Sequence, residues 1–215
     1  QTSPWALAAN DAEGFRPLFN GLDFAGWKKP EGHEDNWSIQ GTNIAHNGNG
    51  GDLWTTDSYG DFDMIVDWKW TGESQGQMDR PIISADGSTA TNEDGSPKMV
   101  TIEERDSGIY LRGSSKSQVN IWGWPIGSGE VWGYRTDQSQ SAETRAAATP
   151  RAAADSPIGQ WNRYLIRMRG EYLTVVLNGI TVIDRAHLPG VPADGPIGFQ
   201  SHGSGISFSN ILIRR

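Results

Sequence analysis

Apolar and polar residues alternate along much of this chain with a period of two, the pattern of half-buried β-strands. In residues 61–70 (DFDMIVDWKW), Phe62, Met64, Val66, Trp68 and Trp70 fall on one face, with Asp63, Asp67 and Lys69 on the other. Residues 163–169 (RYLIRMR) set Tyr164, Ile166 and Met168 inward between arginines. The runs 172–177 and 180–183 flank Asn178-Gly179. That dipeptide predicts a hairpin, because a type I′ turn needs φ > 0 at both central residues. Residues 206–213 (ISFSNILI) read as a last strand, and no segment keeps a helical period. Many short strands between turns, in a chain with 27 glycines, predict an all-β sandwich or barrel.

Two segments break the alternation. Residues 71–106 are polar, with turns at Asp86-Gly87 and Asp94-Gly95, and read as one long insertion; such loops tend to carry function or motion. Residues 138–156 are Ala-rich, either a loop or one helical turn. No internal repeat or compositional shift divides the chain. Residues 1–215 are therefore expected to form one domain, its core at 15–213. A chain of this length buries a core without staples, and the absence of cysteine excludes thiol catalysis and cysteine-ligated zinc.

Charge narrows the partners. A net charge of −8, from 18 basic and 26 acidic residues, opposes a phosphate backbone, so nucleic acid is not expected. No stretch approaches the roughly 18 apolar residues of a membrane span. The start, QTSPWALAAN, has no basic residue followed by an apolar run. Either a signal peptide has been removed or none existed; the first case predicts an extracytoplasmic protein, periplasmic or secreted after signal-peptide removal. Ten tryptophans outnumber six phenylalanines and five tyrosines. Core packing accounts for most of them; a few are expected to lie flat on sugar rings.

The middle of the chain carries the candidate chemistry. In 108–112 (GIYLR), Ile109 and Leu111 share one face, Tyr110 and Arg112 the other. In 117–124 (SQVNIWGW), Val119 and Ile121 oppose Gln118, Asn120, Trp122 and Trp124. With the aliphatic faces in the core, the opposite face presents amides, a guanidinium, a phenol and indoles. Those groups match sugar hydroxyls and ring faces, as a saccharide cleft requires; the alternative is a solvated face. Residues 127–137 (GSGEVWGYRTD) align Glu130, Trp132 and Tyr134, followed by Arg135 and Asp137. A carboxylate among aromatics can serve as acid or base, or it is a solvated edge glutamate. In 197–202 (IGFQSH), Gln200 and His202 oppose Ile197 and Phe199. His202 is a candidate proton shuttle, or a histidine that only makes a hydrogen bond.

Other constellations fail. Glu103 and Glu104 are adjacent and would point to opposite faces of a strand, a poor acid/base pair. Asp61, Asp63 and Asp67 read as solvent-exposed. There is no Glu-x-Asp-x-Glu strand of the lectin-like β-glucanases, no phosphate loop and no His-Glu-x-x-His. The acidic loops lack EF-hand spacing for Ca²⁺, so neither a metal nor a cofactor is expected.

Seven segments, in order, resemble the 3-keto-disaccharide hydrolase domain family, once known only as a domain of unknown function. They are 15–27 (FRPLFNGLDFAGW), 37–44 (WSIQGTNI), 61–70, 107–112 (SGIYLR), 159–162 (GQWN), 177–179 (LNG) and 195–210 (GPIGFQSHGSGISFSN). The resemblance implies a jelly-roll β-sandwich of concanavalin A-like lectin/glucanase type. It also implies a reaction: a ketone at C3 acidifies the C2 hydrogen, a base removes it, the aglycone leaves C1, and water adds back. In that scheme Arg112 is expected to face the enolate oxygen, His202 or Glu130 to be the base and Asp106 the proton donor. Tyr110, Gln118, Asn120, Trp122, Tyr134, Arg135 and Gln200 are expected to hold the sugar. One departure stands out. Gln118 occupies the position of a family glutamate and Asn120 that of a glutamine, followed by Trp122. If that glutamate is the family's base, Glu130, Asp106 or His202 must replace it. Two further readings remain open: a carbohydrate-binding domain without catalysis, and a cell-surface interaction domain.

Overall fold

Because its side chains alternate, each strand has one face to bury, and two sheets packed face to face bury both. The computed structural model describes residues 13–215; the opening QTSPWALAAN lies outside these. Among the described residues the strands run in order β1 (Arg16–Pro17), β2 (Trp27–Lys28), β3 (Trp37–Gln40), β4 (Asn43–His46), β5 (Leu53–Thr55), β6 (Phe62–Trp70), β7 (Gln77–Pro81) and β8 (Met99–Glu103). They continue with β9 (Asp106–Leu111), β10 (Ser114–Trp122), β11 (Asn162–Arg169), β12 (Tyr172–Leu177), β13 (Ile180–His187), β14 (Gly198–Phe199) and β15 (Ile206–Arg214). One sheet has the order β13-β12-β11-β6-β15-β4-β3, with β1 also paired to β15. The other has the order β10-β9-β14-β5-β2. This is an all-β jelly-roll β-sandwich.

Strand β6 shows what fixes the register. Its inward row of Phe62, Met64, Val66 and Trp68 is almost inaccessible. Burying each such side chain stabilises by about 1.5–3 kcal/mol, against about 1 kcal/mol net for a hydrogen bond. A one-residue slip would turn the whole row outward. The hairpin between β12 and β13 turns at Asn178 (φ 52°) and Gly179 (φ 84°), as the dipeptide predicts.

The opposite row of β6 corrects an expectation. Asp63 and Asp67 are buried, not solvated. The register sets Asp63 between Arg167 of β11 and Arg214 of β15, and Asp67 beside Arg163. Arg214 reaches Asp63 at 2.5 Å, Arg169 at 2.9 Å and Arg167 at 3.0 Å. Arg163 grips Asp67 with two nitrogens, at 2.6 and 2.7 Å. At the bulge in β15, Asn210 (φ 45°) donates to the same carboxylate at 2.6 Å. Long arginine stems cover the carboxylates, so alternation alone does not imply exposure.

The polar insertion is an ordered arm. Strands β7 and β8 pair antiparallel from Gln77↔Glu103 to Pro81↔Met99, and bridges at Ile83↔Thr89 and Thr91↔Pro97 extend the pairing. At its far end Gly87 (φ 80°) approaches the Ala-rich segment, which forms a helix at Ala142–Ala147. A Cβ on Gly87 would lie 2.8 Å from Thr149 Oγ1 and 2.9 Å from the Arg145 carbonyl oxygen. Ser141 caps that helix by accepting from Thr144 N at 3.0 Å. The arm is thus pinned at the sheet and at the helix, and forms one wall over the β10-β9-β14-β5-β2 sheet.

Candidate active site

The outer face of the five-stranded sheet is laid out by register. Lys28, Trp54, Gly198, Tyr110 and Gln118 are successive cross-strand partners, one from each strand. Two residues along, Gln200 N donates to the Gly108 carbonyl at 2.9 Å, and Asn120 pairs with Gly108. A further two along, Asp106 pairs with Trp122. Asp106, Tyr110, Gln118, Asn120, Trp122 and Gln200 therefore meet on one surface.

Two glycines make that surface work. A Cβ on Gly108 would overlap the amide of Gln118, which lies across this position. From there Gln118 Nε2 donates to Gln200 Oε1 at 2.5 Å. A Cβ on Gly198 would meet the Trp54 ring at 2.6 Å. Trp54 occupies that space and stacks on Tyr110, centroids 5.1 Å apart and planes 7° from parallel.

Above this floor is a cleft of about 410 Å³. Gln118, Asn120 and Gln200 line its base, Asp106 and His202 one end, and Trp122, Trp124 and the half-exposed Trp132 a side. His202 Nδ1 lies 2.8 Å from Asp106 Oδ2. Gln75 Nε2 donates to the His202 carbonyl at 2.7 Å and to Ser204 Oγ at 3.1 Å, holding the loop after β14. Burial pushes the Asp106 carboxyl above its ordinary value, against the hydrogen bond from His202. That hydrogen bond to Asp106 raises the His202 imidazole, with burial opposing it. Burial, followed by the charge of Asp52, raises the Tyr110 phenol, which also hydrogen-bonds Gln200.

The insertion adds residues that sequence reasoning missed. Arg80 Nε donates to buried Glu104 at 3.0 Å, and its guanidinium lies 5.3 Å above Trp124. Trp124 in turn stacks on Trp122 at 4.3 Å and 4°. Glu104, set aside with Glu103, follows the end of β8, so strand alternation does not govern it. Arg80, Glu104 and Gln75 reach the cleft only because the arm folds over the sheet. No spacing in the sequence signals that.

Other candidates are not brought there. Arg112 (φ 53°) leaves β9 in the left-handed region instead of continuing the alternation. Its buried guanidinium donates to the carbonyls of Gly60, Gly170 and Pro192 at 2.8–3.0 Å and to Asp61 at 3.0 Å. Those contacts satisfy it as a structural clamp, away from the cleft. Residues 132–135 form a helical turn, not a strand, so the expected row of Glu130, Trp132 and Tyr134 is broken up. Glu130 is fully buried in an ion pair with Arg135. Tyr134 is buried with its hydroxyl 3.3 Å from the Pro189 carbonyl, to which it donates. Only Trp132 of that segment lines the cleft. Among the described residues no group of three His, Asp or Glu is placed to hold a metal ion, and no helix is long and apolar enough to cross a membrane.

A family profile described as the 3-keto-alpha-glucoside-1,2-lyase-like domain matches residues 14–214. No curated protein matches by sequence. Among solved structures, a proposed glycosyl hydrolase from Parabacteroides distasonis superposes with a TM-score of 0.61 at 20% identity, covering 97% of both chains. The carbohydrate-binding module CBM66 from Bacillus subtilis gives 0.50 at 15% identity, over 88% of this chain and 96% of its own. A non-specific endo-β-1,3(4)-glucanase of family GH16 gives 0.51 at 10% identity, over 99% and 94%. At these identities the likeness is one of fold.

Proposed function

Because this chain belongs to the family of 3-keto-α-glucoside-1,2-lyase-like domains, we propose that it cleaves 3-keto-glycosides by elimination and hydration, with His202 as the base. The observation that carries this reading is the His202–Asp106 pair at the end of an amide- and indole-lined cleft. With Nδ1 held by Asp106, Nε2 is left to take the C2 proton, whose acidity comes from the neighbouring ketone. The C–H electrons form the enolate, and negative charge collects on the C3 oxygen. Arg80, fixed by Glu104 and lining the cleft, replaces Arg112 as the cation for that oxygen. When the ketone re-forms, the C1–C2 double bond appears and the C1–oxygen bond breaks. The departing oxygen takes the proton from the His202 imidazolium. Water then adds its hydroxyl to C1 and a proton to C2, giving the 3-keto sugar and the free aglycone.

In this scheme Asp106 positions and tunes the base; it is not itself the proton donor. Gln118, Asn120 and Gln200 bind ring hydroxyls, and Trp132 offers an open indole face. Turnover of a panel of glycosides and their 3-keto forms tests the proposal, using wild type, His202→Ala and Arg80→Ala. The expected result is cleavage of the keto forms alone. His202→Ala should lose about 10²–10⁴ in rate and Arg80→Ala about 10²–10³. Cleavage of unmodified glycosides at equal rate would overturn it.

A second reading, saccharide binding without catalysis, is favoured by one feature. Gln118, at the position of the family's glutamate, donates to Gln200, so the middle of the sheet face carries amides in place of a carboxylate. Binding of the same panel without turnover would establish it.

A further inference from the structure

The sheet face does not end at the cleft. Beyond the stacked Tyr110 and Trp54 a second recess of about 550 Å³ opens, lined by Trp54, Asp52, Lys28, Lys29, Glu31 and Thr55. Tyr110 covers one face of the Trp54 indole, so the recess is reached from the other side of the ring. Register places exposed Lys28 directly beside Trp54. Asp52 stands two residues before Trp54, beside the loop that carries the base, and its Oδ1 accepts from Ser201 N at 2.8 Å. Asp52 and Gln200 lie one residue past the Leu53↔Phe199 pair that ends β5 and β14, where sheet spacing sets their backbones about 5 Å apart, roughly the width of one pyranose ring. The two recesses are therefore neighbours on one sheet face.

We propose that Lys28, Asp52 and Trp54 form a second saccharide subsite, occupied by a neutral hexose joined to the ring held beside His202. The inference rests on the saccharide reading of the cleft. Its chemistry comes from three complementary groups. The indole supplies an apolar platform for axial C–H groups, Lys28 donates to hydroxyls, and the remaining lone pairs of Asp52 accept from them. Lys29, whose Nζ lies 4.4 Å over the Phe24 ring, and Glu31 add one charge of each sign. The lining thus carries two ammonium groups and two carboxylates, a balance that suits hydroxyls and disfavours a sugar acid or phosphate. Burial raises the Asp52 carboxyl, with the Ser201 hydrogen bond opposing it, consistent with a group on the shielded floor.

The test uses two 3-keto-glucosides that differ only in aglycone, methyl or glucosyl. Each is titrated calorimetrically into His202→Ala protein, alone and combined with Trp54→Ala or Lys28→Ala. With the subsite intact the glucosyl compound should bind about tenfold more tightly, and either second substitution should remove most of that advantage. Lys28 is exposed, so its variant keeps the test valid if Trp54→Ala fails to fold. Equal affinity for the two compounds would overturn the proposal, as would an advantage that survives Lys28→Ala. Tighter binding of a glucuronosyl aglycone than of the glucosyl one would also overturn it. Turnover by wild type is measured separately. Its absence would sink the elimination scheme while leaving a glucosyl advantage interpretable, whereas turnover with equal affinities would sink the subsite alone.

Discussion

His202 Nδ1 and Asp106 Oδ2 lie 2.8 Å apart, joining the first residue of β9 to the loop beyond β14. The contact depends on β14 pairing with β9, which puts Gly198 beside Tyr110 and carries the following residues back along the strand towards Asp106. It gives the cleft one imidazole with a fixed orientation and a free Nε2, and a shift in its titration follows.

The hydrogen bond to Asp106 raises His202 above its ordinary 6.5. A base must be neutral, so kcat/KM should rise with pH and level off at an inflection above 6.5. Asp106→Asn should move that inflection down and lower the plateau by about tenfold or more. Stability runs the other way. The raised imidazole contributes stability that is fully present below 6.5 and is lost as pH rises through the folded-state value. Thermal melting of wild type against His202→Ala should show this difference closing between neutral and mildly alkaline pH. An inflection unmoved by Asp106→Asn would contradict the pairing.

Gly108→Ala tests the floor of the cleft. The added methyl takes the place of the Gln118 amide and breaks its contact with Gln200. Because the displaced group is the end of a flexible side chain, the stability cost should stay near ~1 kcal/mol. Saccharide affinity should fall about tenfold or more. Unchanged binding would mean that the amide pair does not touch the sugar.

Arg112 separates a clamp from a catalytic group. Arg112→Ala strands three carbonyls and Asp61. Denaturant unfolding should show a loss of about 2–4 kcal/mol, reduced because Asp61 is partly solvated. The molecules that remain folded should keep their rate per active site. A protein of normal stability with no turnover would return Arg112 to the chemistry.

Asp63 anchors the other sheet. Burial pushes its carboxyl up, but the hydrogen bonds from Arg214 and Arg167 and the charge of Arg169 hold it below 3.8. Its contribution is therefore present above 3.8 and disappears as pH falls through the folded-state value. Asp63→Asn should cost about 2 kcal/mol at neutral pH, since the partner arginines are half-exposed. It should also flatten the loss of stability below pH 4, read from unfolding curves. An acid limb as steep as in wild type would place acid sensitivity elsewhere.

The sheet layout was legible in the sequence because period-two alternation and turn dipeptides are local signals. That rule puts Tyr110, Gln118, Asn120 and Trp122 on one polar face, and the pairing of β14 with β9 brings Gln200, Asp106 and His202 along it. The rule failed wherever the chain stops being a strand. Arg112 turns into the left-handed region one residue past β9, and Glu130 to Arg135 pass into a helical turn. Asp63 and Asp67 obey the alternation, but arginines from two neighbouring strands cover them. Arg80 and Glu104 belong to an arm whose position depends on Gly87 meeting the Ala142–Ala147 helix, a contact that no local pattern encodes.

The central claim is proton removal at C2 by His202, and isotope exchange tests it most directly. A 3-keto-glucoside incubated with the protein in D₂O should yield a 3-keto sugar carrying deuterium at C2, and His202→Ala should abolish both exchange and release. Aglycone release with the C2 hydrogen retained, or exchange undiminished in His202→Ala, would contradict the account.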